Sequence, residues 1–212
     1  MKKPAAALFD LDGVLIDTEP AYTRIWSEIE SHFPTGIENF AIKIKGSTLH
    51  GILSAYFPEK ETQEKICNML KESEKRMEYP LFDGVMDFLA ELKKNNIPAA
   101  IVTSSNEAKM KQLFNARPEF AAMFKVVVTD ADVTKSKPHP ECYLKAAEKL
   151  GAAPEECIVF EDSFAGLSAG RDAGARVVAL ATTNPRHSLA DKAHVVIDSF
   201  KKLSLDTLLA NF

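Results

Sequence analysis

Residues 5–15 read AAALFDLDGVL. The first half of this stretch is a short apolar run without helical periodicity, a pattern typical of a buried strand. Asp10 and Asp12 follow at alternating positions, and Gly13, a residue type that tolerates a positive φ, comes directly after them. Two carboxylates this close together both stay ionised only beside a cation; otherwise one of them holds a proton. The stretch therefore predicts a buried strand that ends in a loop with paired acidic groups.

A calcium-binding loop of the EF-hand type does not fit these residues. Such a loop requires an oxygen ligand at its fifth position, a glycine at its sixth and a glutamate at its twelfth. Those positions hold Val14, Leu15 and Ala21 here, and a strand rather than a helix precedes them. The acidic pair needs another explanation.

The composition of the whole chain is that of an ordinary globular protein. Its 212 residues are 46% hydrophobic and 26% charged, enough for one substantial core and a smaller unit. The net charge is -4, with neither a Lys/Arg run nor an apolar stretch of about 20 residues, so we expect no nucleic-acid or membrane partner. Cys67, Cys142 and Cys157 form no paired motif, which argues against a disulfide framework or a structural zinc site. We expect a cytoplasmic monomer.

The hydrophobic pattern divides the chain into two parts. Residues 17–80 carry apolar positions at helical spacing, with prolines between the segments. Residues 1–16 and 81–212 alternate short apolar runs with amphipathic helices, which predicts an α/β class with a parallel sheet covered by helices on both faces. A helical unit is thus inserted after the first strand. Later strands are predicted at 98–102, 124–128, 157–160, 175–179 and 194–197, and helices at 19–33, 49–56, 61–77, 85–95, 107–114, 141–150, 165–173 and from 203.

Polar residues follow the predicted strands at the edge where parallel sheets bind ligands, beyond the strands' carboxyl ends. Thr103, Ser104 and Asn106 follow the second strand and open a helix, where free backbone N–H groups favour an anion; the same residues also suit a helix N-cap. Lys137 follows the third strand, and the proline after it holds it on a rigid loop, although a single lysine is usually only surface charge.

The fourth strand ends at Glu161 and Asp162, again directly after an apolar run. Together the strand ends supply oxygen ligands for a hard cation, a cradle for an anion and a nucleophile. The glycines at 166, 170 and 174 match no phosphate-loop motif, and their spacing along a helix indicates close packing instead.

Four motifs in this order resemble those of the haloacid dehalogenase superfamily, in the subgroup with a small helical cap that includes β-phosphoglucomutase and sugar-phosphate phosphatases. They are FDLDGVL at 9–15, VTSSN at 102–106, KPHP at 137–140 and FEDSFAGLSAGRDAGA at 160–175. The resemblance covers nearly the whole chain. It implies a Rossmann-like parallel sheet core from residues 1–16 and 81–212, with residues 17–80 as an inserted helical cap domain.

The resemblance also implies roles for the acidic residues. Asp10 would attack the phosphorus of a small phosphorylated metabolite and form an aspartyl phosphate, and Asp12 would protonate the departing oxygen and later activate water. Asp10, Glu161 and Asp162, with the main-chain carbonyl of Asp12, would ligate Mg²⁺, which prefers oxygen ligands.

By the same resemblance, Thr103, the N–H of Ser104 and Lys137 would hold the phosphoryl oxygens, with Asn106 as a further phosphate-binding residue. In the β-phosphoglucomutase type, a histidine and an arginine of the cap hold a bisphosphate intermediate.

Here Tyr22 takes the place of the histidine and Leu49 that of the arginine, while Lys45 and Gly46 are retained. A lysine cannot replace the bidentate guanidinium of the missing arginine. We therefore predict a phosphatase as the first interpretation and a mutase as the second. A non-catalytic phosphoester-binding protein of the same fold is the third alternative, although both Asp10 and Asp12 are present.

Overall fold

The structure is a computed structural model that describes residues 2–44 and 49–212. The chain divides into two compact units, the first formed by Met1–Asp17 with Tyr79–Phe212 and the second by Thr18–Glu78. These limits lie close to the predicted division at residues 16 and 80. The role of the second unit as a cap stays a prediction.

The first unit is built on a parallel sheet. Among the described residues its strands are β1 (Ala6–Phe9), β2 (Ala99–Val102), β3 (Val126–Val128), β4 (Cys157–Glu161), β5 (Arg176–Leu180) and β6 (Val195–Ile197). They lie in the order β3-β2-β1-β4-β5-β6, which confirms the predicted Rossmann-like α/β fold. Strand β3 starts two residues later than predicted, and Phe124 packs against Phe120 instead.

Strand β1 lies at the centre of this sheet and fixes where the polar residues meet. It pairs with β2 on one side and β4 on the other, and its four residues are buried. A strand buried on both faces needs a continuous apolar sequence, which AALF provides. The carboxyl ends of β2, β1 and β4 are therefore neighbours, and Thr103, Asp10 and Glu161 lie along one edge of the sheet.

Helices cover the sheet and make up the second unit. The helices are α1 (Glu19–His32), α2 (Phe40–Lys43), α3 (Leu49–Tyr56), α4 (Lys60–Glu74), α5 (Val85–Lys94), α6 (Glu107–Ala116), α7 (Pro118–Ala121), α8 (Glu141–Leu150), α9 (Phe164–Asp172), α10 (Arg186–Leu189) and α11 (Leu205–Leu209). All predicted helices are found: α3 and α8 have the predicted bounds, and the others differ by one to three residues at one or both ends. The four-residue helices α2, α7 and α10 are too short to show a period in the sequence.

Aromatic side chains fill part of the core of the first unit. Phe9 and Phe160 are register partners on β1 and β4, and their rings stack with centroids 4.5 Å apart. Phe200 packs against both rings at centroid distances of 5.6 to 6.1 Å, and Phe88 of α5 packs against Phe160 at 5.6 Å and against Phe200 at 5.4 Å. The rings lie directly behind the carboxyl ends of β1 and β4, so this part of the core supports the acidic residues that follow those strands.

The second unit has its own core around Phe40. The ring of Phe40 makes edge contacts with Trp26, Tyr56 and Phe57 at centroid distances of 5.1 to 6.2 Å. Helix α1 buries Ile25, Trp26 and Ile29 against this cluster, as their helical spacing predicts. Within the described ranges, none of the helices is long and apolar enough to cross a bilayer.

Candidate active site

The loop after β1 places Asp10 at the edge of the sheet. The backbone N–H of Asp10 donates to the carbonyl of Phe160 at 2.9 Å, so this residue still belongs to the ladder between β1 and β4. Its side chain is 13% exposed. Gly13 follows with a φ of +81°, and a Cβ there would overlap the carboxylate of Asp162. The positive φ of Gly13 lets the chain turn, as predicted, and its missing side chain leaves room for the carboxylate of Asp162.

Lys137 brings the acidic residues of two strands together. Its Nζ lies 2.5 Å from Oδ1 of Asp10 and 2.7 Å from Oε1 of Glu161, and it also donates to the carbonyl of Val102 at 3.1 Å. The side chain is only 8% exposed, which excludes the interpretation of Lys137 as ordinary surface charge. Burial alone would lower the pKa of the Lys137 ammonium, but the carboxylates of Asp10 and Glu161 outweigh that effect and raise it.

Glu161 is fully buried, and its carboxylate accepts hydrogen bonds from several protein donors. Oε1 accepts from Lys137 and, at 2.9 Å, from the hydroxyl of Tyr143. Oε2 accepts from the backbone N–H of Asp162 at 3.0 Å and from the N–H and hydroxyl of Ser163 at 3.1 and 3.0 Å. Burial alone would raise the pKa of Glu161, but Lys137 and these donors lower it, so the group is held as a carboxylate.

Gly166 makes room for that carboxylate at the start of α9. The helix begins at the N-cap Ser163, whose Oγ accepts from the N–H of Gly166 at 3.1 Å. A Cβ at position 166 would overlap the Glu161 carboxyl group, and one at Gly170 would press on Val159. The predicted close packing holds for these two glycines. Gly174 instead follows the helix with a φ of +85°.

Asp162 completes a buried acidic cluster with Asp10 and Glu161. The hydroxyl of Thr183 donates to its Oδ2, and Nδ2 of Asn184 donates to its main-chain carbonyl at 2.9 Å. Asp10, Glu161 and Asp162 each offer an oxygen, and these oxygens lie within 4.8 Å of one another. An all-carboxylate set of this size suits a hard divalent cation such as Mg²⁺.

The electrostatics of this cluster differ from one carboxyl group to the next. Burial raises the pKa of Asp10 well above its usual range; Glu161 and Asp162 raise it further, while Lys137 opposes them. Burial likewise raises the pKa of Asp162 to about 7, and the charge of Glu161 adds to the effect. Thus the ammonium of Lys137 is shared between Asp10 and Glu161, and Asp10 and Asp162 keep raised pKa values that a bound cation would lower.

Asp12 lies beside a different set of donors. Its carboxylate accepts from the ammonium of Lys109 at 2.7 and 2.8 Å and from the hydroxyl of Ser105 at 3.0 Å. The Asp12 side chain is 34% exposed. The two aspartates of the opening motif therefore have different environments, as their different predicted roles require.

The residues after β2 form the predicted helix start. Thr103 is buried, and its hydroxyl accepts from the N–H of Ser105 at 3.0 Å. Ser104 is exposed, and Asn106 caps α6 by accepting from the N–H of Lys109 at 2.9 Å. The N-cap alternative is thus correct for Asn106, and phosphate binding by Thr103, Ser104 and Asn106 stays a prediction.

Several site residues were not identified from the sequence. Lys109 and Tyr143 lie on amphipathic helices, where a lysine looks like solvated surface and a tyrosine like core. Ser105 lies between β2 and α6 within the VTSSN motif, and Thr183 lies in a loop after β5. The sequence feature that could have identified such residues is a position shortly after the carboxyl end of a strand, and it applies only to Ser105 and Thr183.

The second unit contains a cavity of about 280 Å³ that Tyr22 lines. The hydroxyl of Tyr22 donates to Oε1 of Glu74 at 2.9 Å, and Glu19, Trp26 and Leu49 also line the cavity. Lys45 and Gly46, the retained pair of the predicted cap site, lie outside the described residues.

Comparison with known proteins agrees with the resemblance. A family model described as haloacid dehalogenase-like hydrolase matches residues 7–180. Hexitol phosphatase A of Escherichia coli is 33% identical over 82% of this chain and 81% of its own length. The phosphorylated carbohydrates phosphatase of Thermotoga maritima is 32% identical over 80% and 81%. The bifunctional riboflavin kinase/FMN phosphatase of Arabidopsis thaliana is 28% identical over 97% of this chain, which spans only 56% of that protein.

A solved structure extends the comparison to the fold. The haloacid dehalogenase hydrolase of family IA, variant 3, from Entamoeba histolytica aligns with a TM-score of 0.79 and 25% identity, over 97% of this chain and 98% of that one. The family match covers 7–180, which includes Asp10, Lys137 and Asp162. This chain therefore belongs to the haloacid dehalogenase-like hydrolase family.

Proposed function

We propose that the protein is a Mg²⁺-dependent phosphatase that hydrolyses a small phosphorylated metabolite, a sugar phosphate, through an aspartyl phosphate on Asp10. The observation that carries this proposal is the buried cluster in which Asp10 lies within 4.8 Å of Glu161 and Asp162 and contacts Lys137. A carboxylate can attack a phosphorus atom once the charge of the phosphoryl group is neutralised. The phosphatase relatives support the same reaction class.

The donor set of the site fits Mg²⁺. Asp10, Asp162 and Glu161 are the candidate side-chain ligands, and the main-chain carbonyl of Asp12 is a fourth. When bound, the ion would neutralise charge on the phosphoryl oxygens and help to orient them. The raised pKa values of Asp10 and Asp162 support this assignment, because they mark negative charge that the described protein groups leave only partly compensated.

The chain's own residues account for the remaining steps. An oxygen of Asp10 forms a bond to phosphorus while the ester P–O bond breaks, and Asp12 gives its proton to the departing oxygen. Water then attacks the phosphorus, Asp12 takes a proton from that water, and the bond between Asp10 and phosphorus breaks. Lys137, Thr103 and the N–H of Ser104 would hold the phosphoryl oxygens that do not react.

The residue at position 49 favours the phosphatase over the phosphohexomutase. By the resemblance, an arginine of the cap would hold a bisphosphate intermediate, and Leu49 stands in its place. A mutase must retain that intermediate, so its distal phosphate would need a bidentate cationic partner, which leucine does not supply.

The test is phosphate release from a panel of phosphate esters with Mg²⁺, including hexose 1- and 6-phosphates. We expect turnover by the wild-type protein, loss of turnover in EDTA, and a fall of several orders of magnitude in Asp10→Asn, which keeps the side-chain shape. Circular dichroism checks that the variant is folded. No turnover of any ester would favour the non-catalytic binding protein, and near wild-type turnover by Asp10→Asn would refute the covalent mechanism.

The mutase alternative needs a separate measurement. Given β-glucose 1-phosphate with a trace of the 1,6-bisphosphate, the phosphatase should release phosphate at least as fast as it forms glucose 6-phosphate. Isomerisation many-fold faster than phosphate release would establish the mutase instead.

A further inference from the structure

Lys109 is a buried lysine in the first turn of α6, and its ammonium group lies against Asp12. The side chain is 8% exposed, a state that lysines rarely adopt without a charged partner. Nζ lies 2.7 Å from Oδ1 and 2.8 Å from Oδ2 of Asp12, so it bridges both carboxylate oxygens. Because the described resemblance assigns no role to position 109, this contact is additional to the predicted site.

The backbone around Lys109 is fixed by short-range contacts. Its N–H donates to Oδ1 of Asn106, the N-cap of α6, and the neighbouring hydroxyl of Ser105 donates to Oδ2 of Asp12 at 3.0 Å. Strand β2, which leads into this segment, pairs with β1, which leads into the Asp12 loop. Ser105 and Lys109, which both donate to Asp12, therefore lie between strand β2 and the first turn of the capped helix α6, and these two elements fix their positions.

The contrast in exposure argues against a purely structural ion pair. Asp12 is 34% exposed while Lys109 is 8% exposed, so the carboxyl group is the more accessible partner of the pair. A partly exposed aspartate without a partner would sample several rotamers. A group that exchanges a proton with a reacting oxygen must instead lie within hydrogen-bond reach of it in one orientation.

We propose that Lys109 is a positioning residue for Asp12: it holds the Asp12 carboxyl group in the orientation from which that group exchanges a proton with the ester oxygen. The inference rests on the proposed function, since it assigns Lys109 a role through the acid–base step. Ser105 contributes a weaker, uncharged contact to the same carboxyl group.

The test separates leaving groups. The value of kcat/KM reports the steps up to departure of the first product, so a misplaced acid should lower it for an alkyl phosphate, whose leaving oxygen needs a proton. It should change little for p-nitrophenyl phosphate, whose leaving group departs without one. For Lys109→Met we expect kcat/KM to fall about 10-fold or more with the best alkyl ester of the panel and less than about 3-fold with p-nitrophenyl phosphate. General acid catalysis typically contributes roughly 100- to 10,000-fold to the rate, and a misplaced acid should lose part of that contribution.

Two further variants make the result decisive. In an Asp12→Asn background, Lys109→Met should cost nothing more on the alkyl ester, because its effect passes through Asp12. Lys111→Met, which removes an exposed lysine of the same helix, should leave both substrates unchanged. If Lys109→Met does not fold, Ser105→Ala removes a smaller contact and should show the same preference on a smaller scale.

Equal losses on both substrates, or a full additional loss in the Asp12→Asn background, would overturn the proposal and leave Lys109 a structural residue. Turnover of the alkyl ester by the wild-type protein, measured in the same experiment, reports on the proposed function by itself. Failure of the positioning role is thereby distinguished from failure of the phosphatase assignment.

Discussion

Replacing Gly166 by alanine tests whether the buried carboxylate of Glu161 organises the site. A Cβ at position 166 would overlap that carboxyl group, which accepts five hydrogen bonds and cannot move towards solvent, because Glu161 is fully buried. If the carboxylate loses two of these bonds, at roughly 1.5–3 kcal/mol for a bond to a charged group, the cost is about 3–6 kcal/mol. Alanine favours a helix over glycine by about 1 kcal/mol. The expected net loss is about 2–5 kcal/mol in the free energy of unfolding.

Gly170→Ala is a matched control on the same helix. Its Cβ would lie 3.0 Å from Val159 and 3.1 Å from Val177, so apolar methyl groups need to shift by only a few tenths of an ångström. We expect a change of less than about 1 kcal/mol, because the helix gain offsets the crowding. Urea denaturation of both variants and the wild type measures the difference. If Gly166→Ala were as stable as Gly170→Ala to within about 0.5 kcal/mol, the carboxylate would not be locked in place as we argue.

Two further predictions concern the metal. The affinity for Mg²⁺ should fall by at least about tenfold per pH unit below about 7, because Asp162, with a pKa of about 7, must release its proton before it ligates a cation. The raised pKa of Asp10 makes the dependence steeper. Titration calorimetry at pH 6 and 8 checks this, and an unchanged affinity would contradict it. Mg²⁺ at 100 times its Kd should add about 2.7 kcal/mol to the free energy of unfolding. In Asp162→Ala that gain should be largely lost, so a variant that kept the whole gain would remove Asp162 from the metal site.

Much of the fold could be predicted from the sequence because its signals are local. The buried strand at the start of the chain is an unbroken apolar run, and the rule that parallel sheets bind ligands at their carboxyl ends then directs attention to Asp10, Thr103 and Asp162. The short helices α2, α7 and α10 lacked enough positions to show a period. Phe164 is 42% exposed at the start of α9, although a phenylalanine is by residue type a core side chain.

What the sequence could not supply is the set of partners that lie far apart along the chain. Lys109 meets Asp12 across 97 residues, and Tyr143 meets Glu161 across 18. Either residue fits an amphipathic helix without any further role, so its periodicity carries no sign of the contact. Such pairs depend on how β1, β2 and β4 are ordered in the sheet and on which helix covers each strand, and neither is encoded in a single segment.

The structure also separates two adjacent acidic residues that the sequence treats alike. A carboxylate has about four lone-pair sites, and Glu161 already accepts five hydrogen bonds, so its capacity for a direct cation contact is the smallest in the cluster. Lys137 contacts both Glu161 and Asp10, so its one ammonium offsets only one of the three carboxylate charges in the cluster. Burial raises the pKa of Asp10 and Asp162, whereas the pKa of Glu161 is lowered, so Asp10 and Asp162 are the groups that gain most from a cation. A cation drawn to those two groups would sit next to the proposed nucleophile, where the charge of an incoming phosphoryl group has to be neutralised.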